Sequence, residues 1–232
     1  MSYVVMSDEY PKLCSAIESY GYNIISSDKI LKFNTPEQRH IDMQLLMIEK
    51  NIFLLRECIS LRKNLENKGY NIILCENNIK GKYPDCVALN CLYLGGKLYG
   101  REDVIDISVK NYCKKNSIEI VNVKQGYTRC STAVICKNSA ITADNTIYNA
   151  LTKSGVDVLK IESGNIRLDG YDYGFIGGAC TMLDKDTLAF FGDIKTHPNF
   201  REIEKFCIIH NVKIINLIEN APLIDIGGAL RI

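Results

Sequence analysis

What this chain lacks narrows the reading first. None of its 232 residues falls in an uninterrupted apolar run near the roughly 18 residues that a membrane-spanning helix requires, so no membrane partner is expected. Neither sign of charge is in excess. Against 28 basic residues stand 27 acidic ones, and the formal net charge of +1 gives no electrostatic footprint for nucleic acid. Residues 1–9 hold neither a basic stretch nor a long apolar core, so no secretory signal is expected. There is no Cys-x-x-Cys pair, and neither a structural zinc site nor any other metal is expected. Histidine is scarce, with three copies, which leaves few candidates for acid–base work.

Cysteine, by contrast, is plentiful at ten. Without an export signal this points to free thiols in a reducing compartment, and a cytoplasmic location is expected. Most of the ten sit among apolar neighbours and read as small buried hydrophobes, such as Cys75 after Ile72-Ile73-Leu74 and Cys207 on a helical stripe. With 47% apolar and 24% charged residues, the chain is expected to fold as one domain over residues 1–232.

The organising signal is a repeat. Five times a short amphipathic helix runs into Gly or Asn and then a β-branched strand. Leu13, Ala16, Ile17 and Tyr20 precede Gly21; Leu61 and Leu65 precede Gly69; Ile105, Val109, Tyr112 and Cys113 precede Asn116. Ile147, Ala150 and Leu151 precede Gly155, and Ile203, Phe206, Cys207 and His210 precede Asn211. Each stripe suits a helix packed on a sheet, and Gly or Asn supplies a left-handed end. Four copies also carry a hairpin before the helix, turning at Glu49-Lys50-Asn51, Gly95-Gly96, Lys137-Asn138 and Asp184-Lys185-Asp186. The N-terminal copy has only Tyr3–Met6, and its missing partner is 227–232 at the other end. The fold class expected is α/β: a five-bladed pseudosymmetric α/β propeller, its ring closed by pairing of the N- and C-terminal strands.

Two residues stand out within that rhythm. Cys130 follows the Gly126 turn beside Arg129 at the entrance of a strand, and a neighbouring cation favours thiolate. His40 opens the first strand of another copy, 90 residues earlier, close to two periods of the repeat. Equivalent positions would bring the two together. Asp42 would lie on the same strand face as His40 and orient its imidazole. A thiol, an imidazole and a carboxylate are what covalent catalysis requires. His197 and His210 read as structural.

These residues resemble those of the guanidine-modifying penteins, the five-bladed propellers that include arginine deiminase, amidinotransferases and dimethylarginine dimethylaminohydrolase, in permuted order. His40-Ile41-Asp42 is similar to the family's base-bearing His-x-Asp, 85–94 to the following blade, and Gln125 to Val134 to the entrance bearing the nucleophile. Leu223 to Gly228 is similar to its Asp-Gly-Gly turn.

The resemblance implies Cys130 as nucleophile, His40 as general base and Asp42 as its partner, with no cofactor and a small-molecule substrate in the central channel. Substrate-binding candidates are Asn90, Arg129, Asp172, Gly177, Gly178 and Gly228. Where the family places guanidinium-gripping carboxylates, this chain has Gly177-Gly178 and Ala229. Asp169 and Asp172 could supply replacements or serve as turn residues. Paired glycines suggest close backbone approach to a ligand, with N–H donors. Two functions stay open: a cysteine-dependent hydrolase or amidinotransferase-like enzyme acting on a guanidine, amidine or amide, and a non-enzymatic binding protein.

Overall fold

A computed structural model describes residues 2–232. The chain begins with β1 (Tyr3–Met6), α1 (Pro11–Ser19) and β2 (Asn23–Ser26). A short α2 (Ile41–Gln44) leads into β3 (Leu45–Ile48), β4 (Asn51–Leu54), α3 (Ile59–Asn67) and β5 (Ile72–Leu74). The pattern recurs as β6 (Leu92–Leu94), β7 (Lys97–Gly100), α4 (Ile107–Lys115) and β8 (Ile120–Asn122). It recurs again as β9 (Thr132–Cys136), β10 (Ser139–Thr142), α5 (Asn145–Lys153) and β11 (Asp157–Lys160). After β12 (Ile166–Arg167) come β13 (Cys180–Asp184), β14 (Thr187–Phe190), α6 (Phe200–Ile209) and β15 (Lys213–Asn216), then β16 (Leu223–Ile224) and β17 (Leu230–Arg231).

Each repeat makes one three-stranded mixed sheet. Its first two strands pair antiparallel, and the third returns through the helix to lie parallel to the second, as in β3-β4-β5 and β13-β14-β15. The split copy obeys the same rule: β1 pairs antiparallel with β17, with Val4 opposite Arg231 and Val5 opposite Leu230, and parallel with β2. First strands abut one another: β13 lies against both β9 and β17, and β3 against β6. A two-stranded parallel sheet, β12 with β16, stands apart from the repeats.

The helices show why the repeat works. Each buries one i, i+4 pair against its sheet: Leu13 and Ile17, Leu61 and Leu65, Val109 and Cys113, Ile147 and Leu151, Ile203 and Cys207. That spacing stacks two side chains on one helical face, enough to seat a helix of nine or ten residues. Tyr20, expected on the first stripe, lies beyond the end of α1 and is exposed. The left-handed residue after each helix is Gly21, Gly69, Ser117, Gly155 or Asn211. At the third copy the expectation was Asn116. That residue instead closes the helix by donating its amide to Tyr112 O, and the backbone reverses one residue later. Among the described residues no helix is long and apolar enough to cross a membrane.

The segment around His40 departs from the sequence reading. His40 opens no strand; it caps α2, and Asp42 lies inside that helical turn. The turn is anchored from two sides, since the Asp42 amide donates to Gly227 O at 3.2 Å and the Gln44 side chain bonds Asp28 and Gln38.

Phe53, fully buried on β4 and edge-on to Tyr112 with ring centroids 5.3 Å apart, reports on this packing. Phe53→Ala is expected to destabilise the protein by about 3–5 kcal/mol in urea denaturation. Leu31→Ala, at a side chain that is 77% exposed, should stay within about 0.5 kcal/mol of the parent.

Candidate active site

The nucleophile loop is held by its own polar side chains before it meets any partner. Gln125 Oε1 accepts the Tyr127 amide, Thr128 Oγ1 donates to Gln125 O, and the Ser131 amide donates to Tyr127 O. Asn90, fully buried at the end of the preceding turn, then clamps the loop. Its Oδ1 accepts the amides of Arg129 at 2.8 Å and Cys130 at 3.2 Å, and its Nδ2 donates to Cys130 Sγ at 3.1 Å. Expected as a substrate contact, Asn90 is instead spent on aiming the thiol.

His40, Asp42 and Cys130 come together in the buried interior, with one donor atom from each lying within 4.8 Å of the others. The pairing differs from the expected one. Asp42 does not orient the imidazole; its Oδ2 accepts from Cys130 Sγ at 2.6 Å. The carboxylate facing His40 is Asp225, whose Oδ1 lies 4.0 Å from Nδ1. Asp225 is itself fixed, accepting the Phe175 amide at 2.8 Å and the Gly227 amide at 2.9 Å. Chemically, the thiol, imidazole and Asp42 carboxylate also form a three-ligand set of the kind a single divalent ion takes.

Two glycines make this geometry possible. A Cβ on Gly178 would stand 1.9 Å from Asp225 Oδ1, and one on Gly227, whose φ is +77°, would stand 2.3 Å from His40 Cβ. The glycines therefore admit protein atoms rather than a ligand, a correction to the sequence reading. Gly178 N–H donates to Cys130 O and Gly228 N–H to Gly178 O, so neither is a free donor. Gly177 packs where a side chain would strike Thr132 O and Arg129 O.

A cavity of about 240 Å3 opens above the thiol. Its charged lining is acidic, Glu37, Asp172 and Asp225, with no Lys or Arg. Tyr127, Tyr171, Tyr173 and Phe175 form aromatic walls, with Tyr127 and Phe175 centroids 5.9 Å apart. Of the two acids proposed as replacements, Asp172 reaches the cavity, whereas Asp169 is turned outward into an exposed pair with Arg167. Arg129 is elsewhere, against a second cavity.

Sequence reading missed Asp225 as a site residue, Glu37 and the aromatic walls. Glu37 lies outside the repeated elements, yet it is buried, accepts from Tyr127 OH at 2.9 Å, and leaves Oε2 without a partner. The alternation Tyr171-Asp172-Tyr173-Gly174-Phe175 was the available signal for the walls.

Electrostatically the site is short of positive charge. Burial pushes the Cys130 thiol well above its ordinary range, and Asp42 and Asp225 push it further. Burial likewise raises the Asp42 carboxyl, aided by Asp225 and opposed by the thiol hydrogen bond. His40 is lowered by burial against the pull of Asp225 and Glu37, so it rests neutral near pH 7. Arg129 does not make the thiolate that its place in sequence suggests. Unpartnered buried atoms remain at His40 Nε2, Asp42 Oδ1 and Glu37 Oε2. Such atoms carry a desolvation penalty until a ligand meets them.

Solved structures share this architecture. Dimethylarginine dimethylaminohydrolase from Pseudomonas aeruginosa, a cysteine-to-serine variant complexed with citrulline, matches with a TM-score of 0.58 at 9% identity over 99% of this chain and 98% of that one. The inosamine-phosphate amidinotransferase of Streptomyces griseus matches with a TM-score of 0.58 at 11% identity, over 96% and 78%. The N-terminal domain of a cyanobacterial arginine dihydrolase, bound to product, gives 0.58 at 12%, over 98% and 94%. The fold is that of the pentein superfamily. The chain belongs to a family of unknown function (DUF6873), whose model matches residues 4–230. No curated protein matches it.

The raised thiol has a kinetic consequence. With the pKa elevated, little Cys130 is thiolate at pH 8, and its alkylation by neutral iodoacetamide should keep rising with pH through 9 without a plateau. Asp42→Asn removes a negative neighbour and lowers the pKa. The rate at pH 8 should then rise, by about tenfold for each unit of pKa lost. Mass spectrometry of the Cys130 peptide over a pH series measures both.

Proposed function

We propose that residues 1–232 form a single five-bladed α/β propeller, closed by the β17–β1 pair, and that its cavity runs covalent cysteine chemistry on a small cationic amidine or guanidine. One observation carries the reading: a thiol, a neutral imidazole and a carboxylate gathered in one buried cluster, beneath a cavity lined by acids and aromatic faces with no cation. A buried excess of negative charge is stabilised by a cationic ligand, and an amidinium is planar, which suits both carboxylate forks and aromatic faces. The pentein relatives named above, among them an amidinotransferase and an arginine dihydrolase, support this general kind of reaction.

In the cycle that follows, the arriving cation offsets Asp42 and Asp225 and so lowers the thiol pKa. The Cys130 proton passes to His40, and the resulting imidazolium faces Asp225. The thiolate attacks the amidine carbon, forming a C–S bond. Collapse of the tetrahedral adduct expels the amine, which takes the proton from His40. His40, neutral again, takes a proton from water or an acceptor amine, whose attack on the same carbon breaks the C–S bond; the leaving sulfur takes that proton back from His40 and becomes the thiol again. The cavity offers no Lys or Arg to pair with a substrate carboxylate. An amidine or guanidine with an uncharged or amine-bearing tail therefore fits it better than a free amino acid.

The non-enzymatic reading draws on the raised thiol, which is protonated until a cation arrives. One experiment separates the two. 2-Chloroacetamidine should alkylate Cys130 at least about tenfold faster than chloroacetamide, in line with at least 1.4 kcal/mol of charge recognition. The advantage should disappear in Asp225→Asn, and labelling should slow in His40→Ala. Equal rates for the two reagents, or labelling spread over the other cysteines, would reject the enzyme reading.

A further inference from the structure

Arg129 does not line the cavity above the thiol. Adjacent in sequence to the nucleophile, it lines a separate cavity of about 250 Å3 bounded by the first strands of the five three-stranded sheets, β3, β6, β9, β13 and β17. The residue is part-buried, and its Nη1 donates to Thr132 O at 3.0 Å. No carboxylate among the described residues lies within ion-pair distance of it. The only other charged residue of the lining is Arg231, already paired with Asp184 at 2.7 Å. No acid lines this cavity; Leu46, Leu92, Val134 and Met182 are among its walls, whose exposed surface is as polar as it is apolar.

The two cavities are thus opposite in sign. One presents three acids and no Lys or Arg, the other two arginines and no acid. A part-buried guanidinium with no ion-paired carboxylate, its charge felt through space by Asp42, is stabilised further when an anion joins it. The planar fork of Arg matches a carboxylate or phosphate through two parallel hydrogen bonds. We propose that this cavity is a binding site for one small oxyanion, a carboxylate or a phosphate, held by Arg129. The site is independent of whether Cys130 performs chemistry.

Isothermal titration calorimetry of the full chain at constant ionic strength tests it, with inorganic phosphate in one arm and succinate in the other. Saturable binding of at least one is expected, and the arm that binds identifies the source of the oxyanion. Arg129→Met should weaken that binding by about tenfold or more. Because Arg129 adjoins the nucleophile loop, a second variant guards against misfolding. Met182→Glu places a carboxylate on a part-exposed wall of the same cavity and should weaken binding comparably. Absence of saturable binding in both arms, or binding that survives Met182→Glu unchanged, would overturn the proposal.

Discussion

The contact on which the site depends is the one between Cys130 Sγ and Asp42 Oδ2, 2.6 Å long and buried. It places a nucleophile against a carboxyl group, in a setting where Asp225 adds negative charge and no Lys or Arg lines the cavity. Taking a charge out of water costs several kcal/mol, so the protein holds these groups apart from full ionisation. The thiol and carboxyl are both raised, and the histidine is lowered. The resting site is electrically incomplete, which is why a cation is the ligand proposed for it.

Much of the surrounding structure serves to hold that incomplete arrangement in place. Asn90 uses its side-chain amide to fix the thiol and two loop amides. Gly178 and Gly227 leave room for Asp225 and His40, and the Gly227 carbonyl receives the Asp42 amide. The repeated sheets set the depth of each loop, so that residues from α2, the Cys130 loop and the Asp225 turn meet although they lie far apart in sequence. The same sheets line the recess of opposite charge around Arg129.

The fold was legible because its rule is simple and periodic. A buried i, i+4 pair in each helix, a left-handed residue after it and a hairpin before it can all be counted in the sequence. Pairing of β1 with β17 followed from a missing strand at one end and a spare one at the other. The placing of Cys130 near His40 followed from the same period. What the period could not supply was the direction of side chains outside the repeats. His40 and Asp42 lie on a helical turn, where alternation along a strand gives the wrong neighbour, so Asp42 meets the thiol and Asp225 meets the imidazole. Gly177, Gly178 and Gly228 looked like ligand-facing backbone, but close packing of protein on protein at the first two, and a φ of +70° at Gly228, demand the same residue type. Glu37 lay in a stretch whose burial depends on tertiary contacts alone.

The central claim, that cation binding activates the thiol, is tested most directly by titrating the Cys130 thiolate. Ultraviolet absorbance against pH, taken as the difference between the parent protein and Cys130→Ser, reports it with and without acetamidine. The account predicts a pKa above the ordinary cysteine range in the free protein and a fall of at least about one unit when the amidinium is bound. An ordinary pKa that acetamidine leaves unmoved would contradict it.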